Sequence, residues 1–115
     1  MANNFKNAGS SGLSTDPANP TVLYTAQNSD GPVNSILLEL DIANTGTTLA
    51  NVTILLNDSS AGTAYHIVKN AEVPFQGTLK VVAGQKIVLN QSDSIQIYSN
   101  SADMDALASI LEDVA

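Results

Sequence analysis

Few residues in this chain have types and spacings that suit chemistry. The single histidine, His66, is the natural proton carrier, since an imidazole titrates near neutral pH. It would need a nucleophile and an orienting carboxylate, and neither a Gly-x-Ser-x-Gly elbow nor a glycine-rich phosphate loop occurs in the sequence. Carboxylates two residues apart stand at Glu39 and Asp41 and again at Asp103 and Asp105, while Ser92, Asp93 and Ser94 bring three side-chain oxygens together. Such spacing suits a hard cation such as Ca²⁺, but the EF-hand ligand pattern is absent. Two carboxylates for glycoside hydrolysis need one with a raised pKa in a cleft. Glu39 with Asp41 reads more simply as the wet face of a strand. Aromatic residues are few, two Phe and three Tyr with no Trp, so a broad sugar-stacking platform is not expected. Tyr98 is the one aromatic retained as a possible glycan contact.

Composition narrows the classes further. Cysteine is absent, which removes disulfides, thiolate metal sites and a Cys nucleophile together. The expectation is a non-enzymatic protein with no catalytic, cofactor-binding or metal residues. A net charge of -7, with four lysines and no arginine, argues against a nucleic-acid partner, because phosphate neutralisation depends on clustered cations. No basic start precedes an apolar run and no run is long enough to span a bilayer, so neither a secretory leader nor a membrane partner is expected. Three Asn-x-Ser/Thr triplets, at Asn51, Asn57 and Asn90, are what chance gives in so Asn- and Ser-rich a chain.

The elements that must position these residues are strands. A length of 115 residues is one domain, able to bury roughly two thirds of its unfolded surface. Residues 21–26 form a short strand led in by Pro20, and residues 27–32, with Asp30-Gly31-Pro32, form a loop. Residues 33–44 give the longest strand, in which Ile36, Leu38, Leu40 and Ile42 alternate with polar positions. Val52, Ile54 and Leu56 mark the next strand, and residues 63–69 another beyond the turn cluster at residues 57–62. Residues 78–81, 86–90 and 94–97 then read as three strands of a meander, with turns at residues 83–85 and 90–93. The segment from Ser101 is ambiguous. Met104, Leu107, Ala108 and Leu111 fall at helical spacing, while Met104, Ala106, Ala108 and Ile110 fit a two-residue period. The expected fold is all-β, an antiparallel, jelly-roll-like β-sandwich of about eight strands.

Residues 1–20 are rich in Asn, Ser, Gly and Pro, with Phe5 and Leu13 as their only large apolar side chains. They read as an extended N-terminal arm preceding a sandwich domain at residues 21–115, with Phe5 and Leu13 available to dock on a neighbour. Leu37, Leu55, Val82 and Val88 each break the alternation of their strands, and apolar side chains on faces expected to be wet call for cover by another subunit or the arm. These six residues are the interface candidates. A homo-oligomer, a trimer foremost, is the state expected from them.

A resemblance adds to this reading. The opening Met-Ala-Asn-Asn-Phe-Lys-Asn, the TVLYTA of residues 21–26, the Val-Lys-Asn-Ala-Glu-Val-Pro of residues 68–74, Lys-Ile-Val-Leu at 86–89 followed by Asp93-Ser94-Ile95, and Ser-Ile-Leu-Glu at 109–112 together resemble the small virion structural proteins of tailed bacteriophages, those of marine cyanobacteria in particular. The match runs through nearly the whole chain, and its motifs are strand and turn signatures. It implies a β-sandwich without enzymatic activity, placed in the virion as head decoration (cement), neck or tail component, with major capsid or neck and tail proteins as partners. It also implies that residues 104–114 are a strand, and it carries over no catalytic or binding residue. The acid-rich ending, Glu112-Asp113-Val114-Ala115, departs from the family's more apolar close. The rival function expected from sequence is a carbohydrate-binding, adhesin-like sandwich used in host attachment.

Overall fold

A computed structural model describes residues 4–26 and 34–114. The expected loop at residues 27–32, and Val33 at the head of the longest expected strand, lie outside the described residues. Eight strands are found among the described residues: β1 (Asn4–Ser11), β2 (Thr21–Thr25), β3 (Asn34–Asn44), β4 (Ala50–Asp58), β5 (Thr63–Val73), β6 (Thr78–Leu89), β7 (Ser94–Ser99) and β8 (Met104–Val114). They form two antiparallel sheets, sheet A in the order β1-β8-β3-β6 and sheet B in the order β2-β7-β4-β5. β4 pairs with β5, β3 with β6, β2 with β7 and β1 with β8. The chain is thus one long antiparallel hairpin rolled up on itself, which is the jelly-roll arrangement.

The tip of that hairpin is the β4–β5 turn. Asp58 Oδ1 accepts from the Ser60 N–H, the Ser60 hydroxyl and the Ala61 N–H, while the Gly62 N–H donates to the Asp58 carbonyl at 2.9 Å. Gly62 closes the turn at φ 69°, where a side chain would be strained. Hydrogen bonding to the carboxylate, the Ala61 N–H first and the Ser60 hydroxyl next, holds the Asp58 pKa below its ordinary value.

Between the sheets lie Leu37, Leu40 and Ile42 of β3, Val52 and Ile54 of β4, Ile95 and Ile97 of β7 and Met104 and Ile110 of β8, all without exposed surface. The two ends are closed by polar side chains with satisfied hydrogen bonds, as burial requires. At one end Tyr24 of sheet B reaches across to sheet A, its hydroxyl bonded to Ser35 (3.1 Å) and Glu112, with Lys6 3.8 Å from Glu112. Glu112, in the acidic ending of the chain, therefore ties the sheets together. Asp93, 2% exposed, sits at the same end and accepts from the N–H groups of Asn90 and Ser59, both at 3.0 Å. At the opposite end the Asn44 amide donates to the carbonyls of Thr48 (2.8 Å) and Val73 (3.0 Å) and accepts from the Gly46 N–H (2.9 Å).

Several expectations are corrected. Residues 4–11 are not a free arm but edge strand β1, held along its length by β8, and Leu13 is 5% exposed in the chain's own core. Its sequence is too polar to read as a strand because, as an edge strand paired with β8 alone, it packs only Ala8 among its apolar residues against the core. The turn expected at residues 83–85 is absent. β6 runs through it, with three residues between the partners of Leu37 and Glu39 where β3 has one, so the Gly84 signal marks a bulge. The three-stranded meander is not one either, since β6 joins sheet A and β7 joins sheet B across the turn at residues 90–93. Residues 104–114, by contrast, form the strand expected of them, against their helical spacing. Partners on both sides, β1 and β3, override the local preference.

Leu37 and Val82 face the core, 0% and 2% exposed, rather than outward. The cause is bulging in both strands. Leu38 is the extra residue opposite β8, between Leu37 and Glu39, and Val81 is extra between the partners of Leu40 and Asp41. One inserted residue exchanges the two faces of a strand for everything beyond it.

Candidate interaction surfaces

The register lays out the outer face of sheet A in rows. Phe5 of β1 is opposite Leu111 of β8, Leu111 is opposite Ile36 of β3, and Ile36 is opposite Val88 of β6. Their neighbours Ile110 and Leu37 are buried between the sheets, so this row points away from the core. It is apolar across all four strands. Phe5 is 76% and Val88 53% exposed, with Leu111 and Ile36 half-buried between them. The next row is polar, with Asn7, Ser109 and Glu39, and the one beyond it holds Gly9, Leu107, Asp41 and Lys80. Lys80 lies 3.7 Å from both Glu39 and Asp41, which accounts for that carboxylate pair as a surface ion cluster. Leu107 is exposed beside Gly9, which has no side chain to cover it.

The sheet edges carry the opposite signal. Each of the four lysines stands on an edge strand: Lys6 on β1, Lys69 on β5, and Lys80 and Lys86 on β6. The fourth edge, β2, has five residues, follows Pro20 and is bulged between Val22 and Tyr24. Charge, shortness and bulges are the devices that stop a strand edge from templating another chain. Contact through a face is left open while contact through an edge is discouraged.

A second surface lies on the outer face of sheet B. Tyr98 of β7 is the register partner of Thr53 of β4, and on its other side it forms a parallel bridge with Ser14. The segment between β1 and β2 thereby runs beside β7 at Ser14, pinned by the Ser99 N–H to the Ser14 carbonyl (3.0 Å) and by the Ser14 N–H to the Thr21 hydroxyl (2.9 Å). An Asx turn stiffens it, in which Asp16 accepts from the Ala18 N–H and the Asn19 amide. Those bonds, the Asn19 amide foremost, hold the Asp16 pKa below the ordinary carboxylate value. Between this segment and β5 is a shallow concavity of about 150 Å³, with Tyr98, Pro17, Thr53, Asn51, Asn70 and Asn100 in its wall.

The sequence-derived candidates divide between these surfaces and the interior. Phe5 and Val88 fall in one row, Tyr98 lines the concavity, and Leu55 is half-buried on the outer face of sheet B between Gln96 and His66. Leu13, Leu37 and Val82 belong to the core. His66 is exposed on edge strand β5, and its imidazole makes no hydrogen bond among the described residues. The Asp93 carboxylate is taken up by backbone and Ser59 donors, and Asp105 accepts from the Gly12 N–H at 3.2 Å. Among the described residues no three His, Cys, Asp or Glu side chains gather to hold a metal. Sequence reasoning missed Ile36, Leu107 and Leu111. The signal for the last two was present, because a strand that buries Met104, Ala106, Ala108 and Ile110 must turn Leu107 and Leu111 outward. A scan against protein-family models finds none that matches this chain, and a search of curated proteins finds no match either.

Proposed function

We propose that the protein is a non-enzymatic structural component of a bacteriophage virion that docks through the outer face of sheet A, as head decoration or as part of the neck. The observation that carries this reading is the apolar row Phe5, Leu111, Ile36 and Val88, exposed on a face whose flanking edges are guarded by lysine. Contiguous apolar surface of this kind marks a site of contact with another macromolecule. The resemblance of the chain to virion proteins supplies the particle, and the row supplies the surface that meets it. The jelly roll is used in viral shells and in lectins alike, so the fold by itself is neutral on the point.

In this reading the particle partner is a capsid or neck protein and the working state is a closed homo-oligomer. A trimer suits a three-fold position of a shell, and closed symmetry covers part of the outer face of sheet A between copies while leaving the rest of the row to the particle. The test is co-sedimentation of the purified protein with heads from a phage lacking its gene. Saturable binding is expected, and Val88→Asp, which places a charge in the row, weakens it at least tenfold. Absence of binding to heads and to necks overturns the proposal.

A further inference from the structure

We infer that the concavity around Tyr98 on the outer face of sheet B is a binding subsite for one neutral pyranose unit of a glycan. The inference is independent of the virion reading, since it concerns the opposite outer face and needs no particle. Its volume of about 150 Å³ is of the order that accepts a single six-membered ring. Tyr98 is partly exposed in the wall and offers an aromatic surface with a hydroxyl at its edge, a combination suited to the C–H face and the rim of a sugar.

The polar groups around the ring are neutral and their orientation is fixed. Thr53 donates its hydroxyl to Asn70 Oδ1 at 3.4 Å and accepts from the Asn70 N–H at 3.1 Å. Asn100 Oδ1 accepts from the Asn51 N–H at 2.9 Å. With both carbonyl oxygens engaged, the two amide Nδ2 groups remain as donors near Tyr98, and neither has a partner among the described residues. The Asn51 side chain and the Tyr98 hydroxyl are likewise unpaired there. Two donors, a free amide and a phenol around one aromatic ring match the alternating donor and acceptor capacity of sugar hydroxyls.

Backbone conformation holds this set in place before any ligand arrives. Asn70 has φ 52° and sits where β5 carries one residue more than β4 between the pairs Val52–Ala71 and Ile54–Val68. A bulge re-aims a side chain, and asparagine is the non-glycine residue that best tolerates this region. No charged side chain lines the concavity, and the chain carries -7 overall. Both facts select against anionic saccharides and leave neutral hexoses and N-acetylhexosamines as the ligand class.

The experiment is an ¹H–¹⁵N NMR titration of the full chain with the methyl glycosides of glucose, galactose, mannose and N-acetylglucosamine. Concentrations run to about 50 mM, enough to saturate a site with a Kd of order 1–10 mM. Saturable shifts at the amides of Thr53, Asn70, Tyr98 and Asn100 are expected for at least one of the four. Tyr98→Ala and Asn70→Gly each lower the affinity about tenfold or more, while Tyr98→Phe retains most of it. Asn70→Gly keeps the backbone conformation while removing the amide, so its loss of binding is separable from misfolding. Silence with all four sugars, shifts confined to other surfaces, or parental affinity in both Tyr98→Ala and Asn70→Gly would overturn the assignment.

Discussion

Phe5 and Leu111 stand opposite one another across β1 and β8, on the outer face of sheet A, and with Ile36 and Val88 they complete an apolar row from edge to edge of the sheet. The outer two are the most exposed of the four. Phe5→Asp and Val88→Asp should therefore leave unfolding free energy within about 0.5 kcal/mol of the parent, as exposed positions do. Both should lower the association state seen by analytical ultracentrifugation. A parent that sediments as a monomer at high micromolar concentration would remove the oligomer from the account.

Leu37 provides the contrast. It was expected on the same kind of outward surface, and it lies wholly inside, register partner to Ile110 and Ile87. Leu37→Ala should cost about 2–5 kcal/mol in urea unfolding, the usual range for a truncated core leucine, and should alter association only through stability. A cost under about 0.5 kcal/mol would place Leu37 at the surface after all.

Asp93 joins the turn between β6 and β7 to the tip of the β4–β5 hairpin. Its carboxylate accepts from the N–H groups of Asn90 and Ser59, and the Ala26 N–H donates to its carbonyl at 2.8 Å. Asp93→Ala leaves two backbone donors without their acceptor at a buried position, and a loss of about 2–4 kcal/mol is expected from thermal or urea unfolding. Ser59→Ala keeps the backbone donor and removes only hydroxyl contacts, 3.4 Å to Asp93 and 3.2 Å to the Gln91 carbonyl at an exposed site, and should cost well under half as much.

Asp58 gives the hairpin tip a pH dependence. Its pKa is depressed from 3.8 in the folded chain by the Ala61 N–H and the Ser60 hydroxyl. A depressed carboxylate contributes stability that is present above the unfolded pKa and lost as pH falls through the folded one. Amide exchange at Ser60, Ala61 and Gly62 should thus gain protection above about pH 4 and lose it below, once the intrinsic pH dependence of exchange is divided out. Asp58→Asn should flatten that profile. A parental profile already flat between pH 2 and pH 6, on the order of the full carboxylate titration range, would contradict the turn geometry.

Much of the fold was legible because alternation and turn chemistry are local. Strands β4 and β7 lie close to where Val52, Ile54, Ile95 and Ile97 place them, β2 and β5 begin where the strands expected at residues 21–26 and 63–69 do, and the expected number of strands agrees with the observed eight. That agreement conceals two offsetting differences, an unread β1 and a β6 read as two strands. Both are non-local in origin: β1 exists because β8 pairs with it, and β6 stays continuous across Gly84 because it carries its extra residues as a bulge while still paired with β3. The same bulges explain why Leu37 and Val82 were assigned to the wrong face, since parity counted along one strand cannot register a residue inserted against its partner.

The candidate surfaces were less legible. Phe5 and Val88 stood out singly, but their membership of one row depends on the pairing order of four strands that are far apart in sequence. Tyr98 stood out for its chemistry. Asn51, Asn70 and Asn100 did not, because an asparagine near a strand end reads as turn chemistry until β4, β5 and β7 are set side by side.

If the proposed role holds, this chain is part of a virus particle. Quantitative mass spectrometry of gradient-purified virions, with heads and tails separated, tests it most directly. Peptides of this chain are expected at the copy number of a repeating structural component, in the head or neck fraction. Their absence from every particle fraction, with the protein present in the infected-cell lysate, would contradict it.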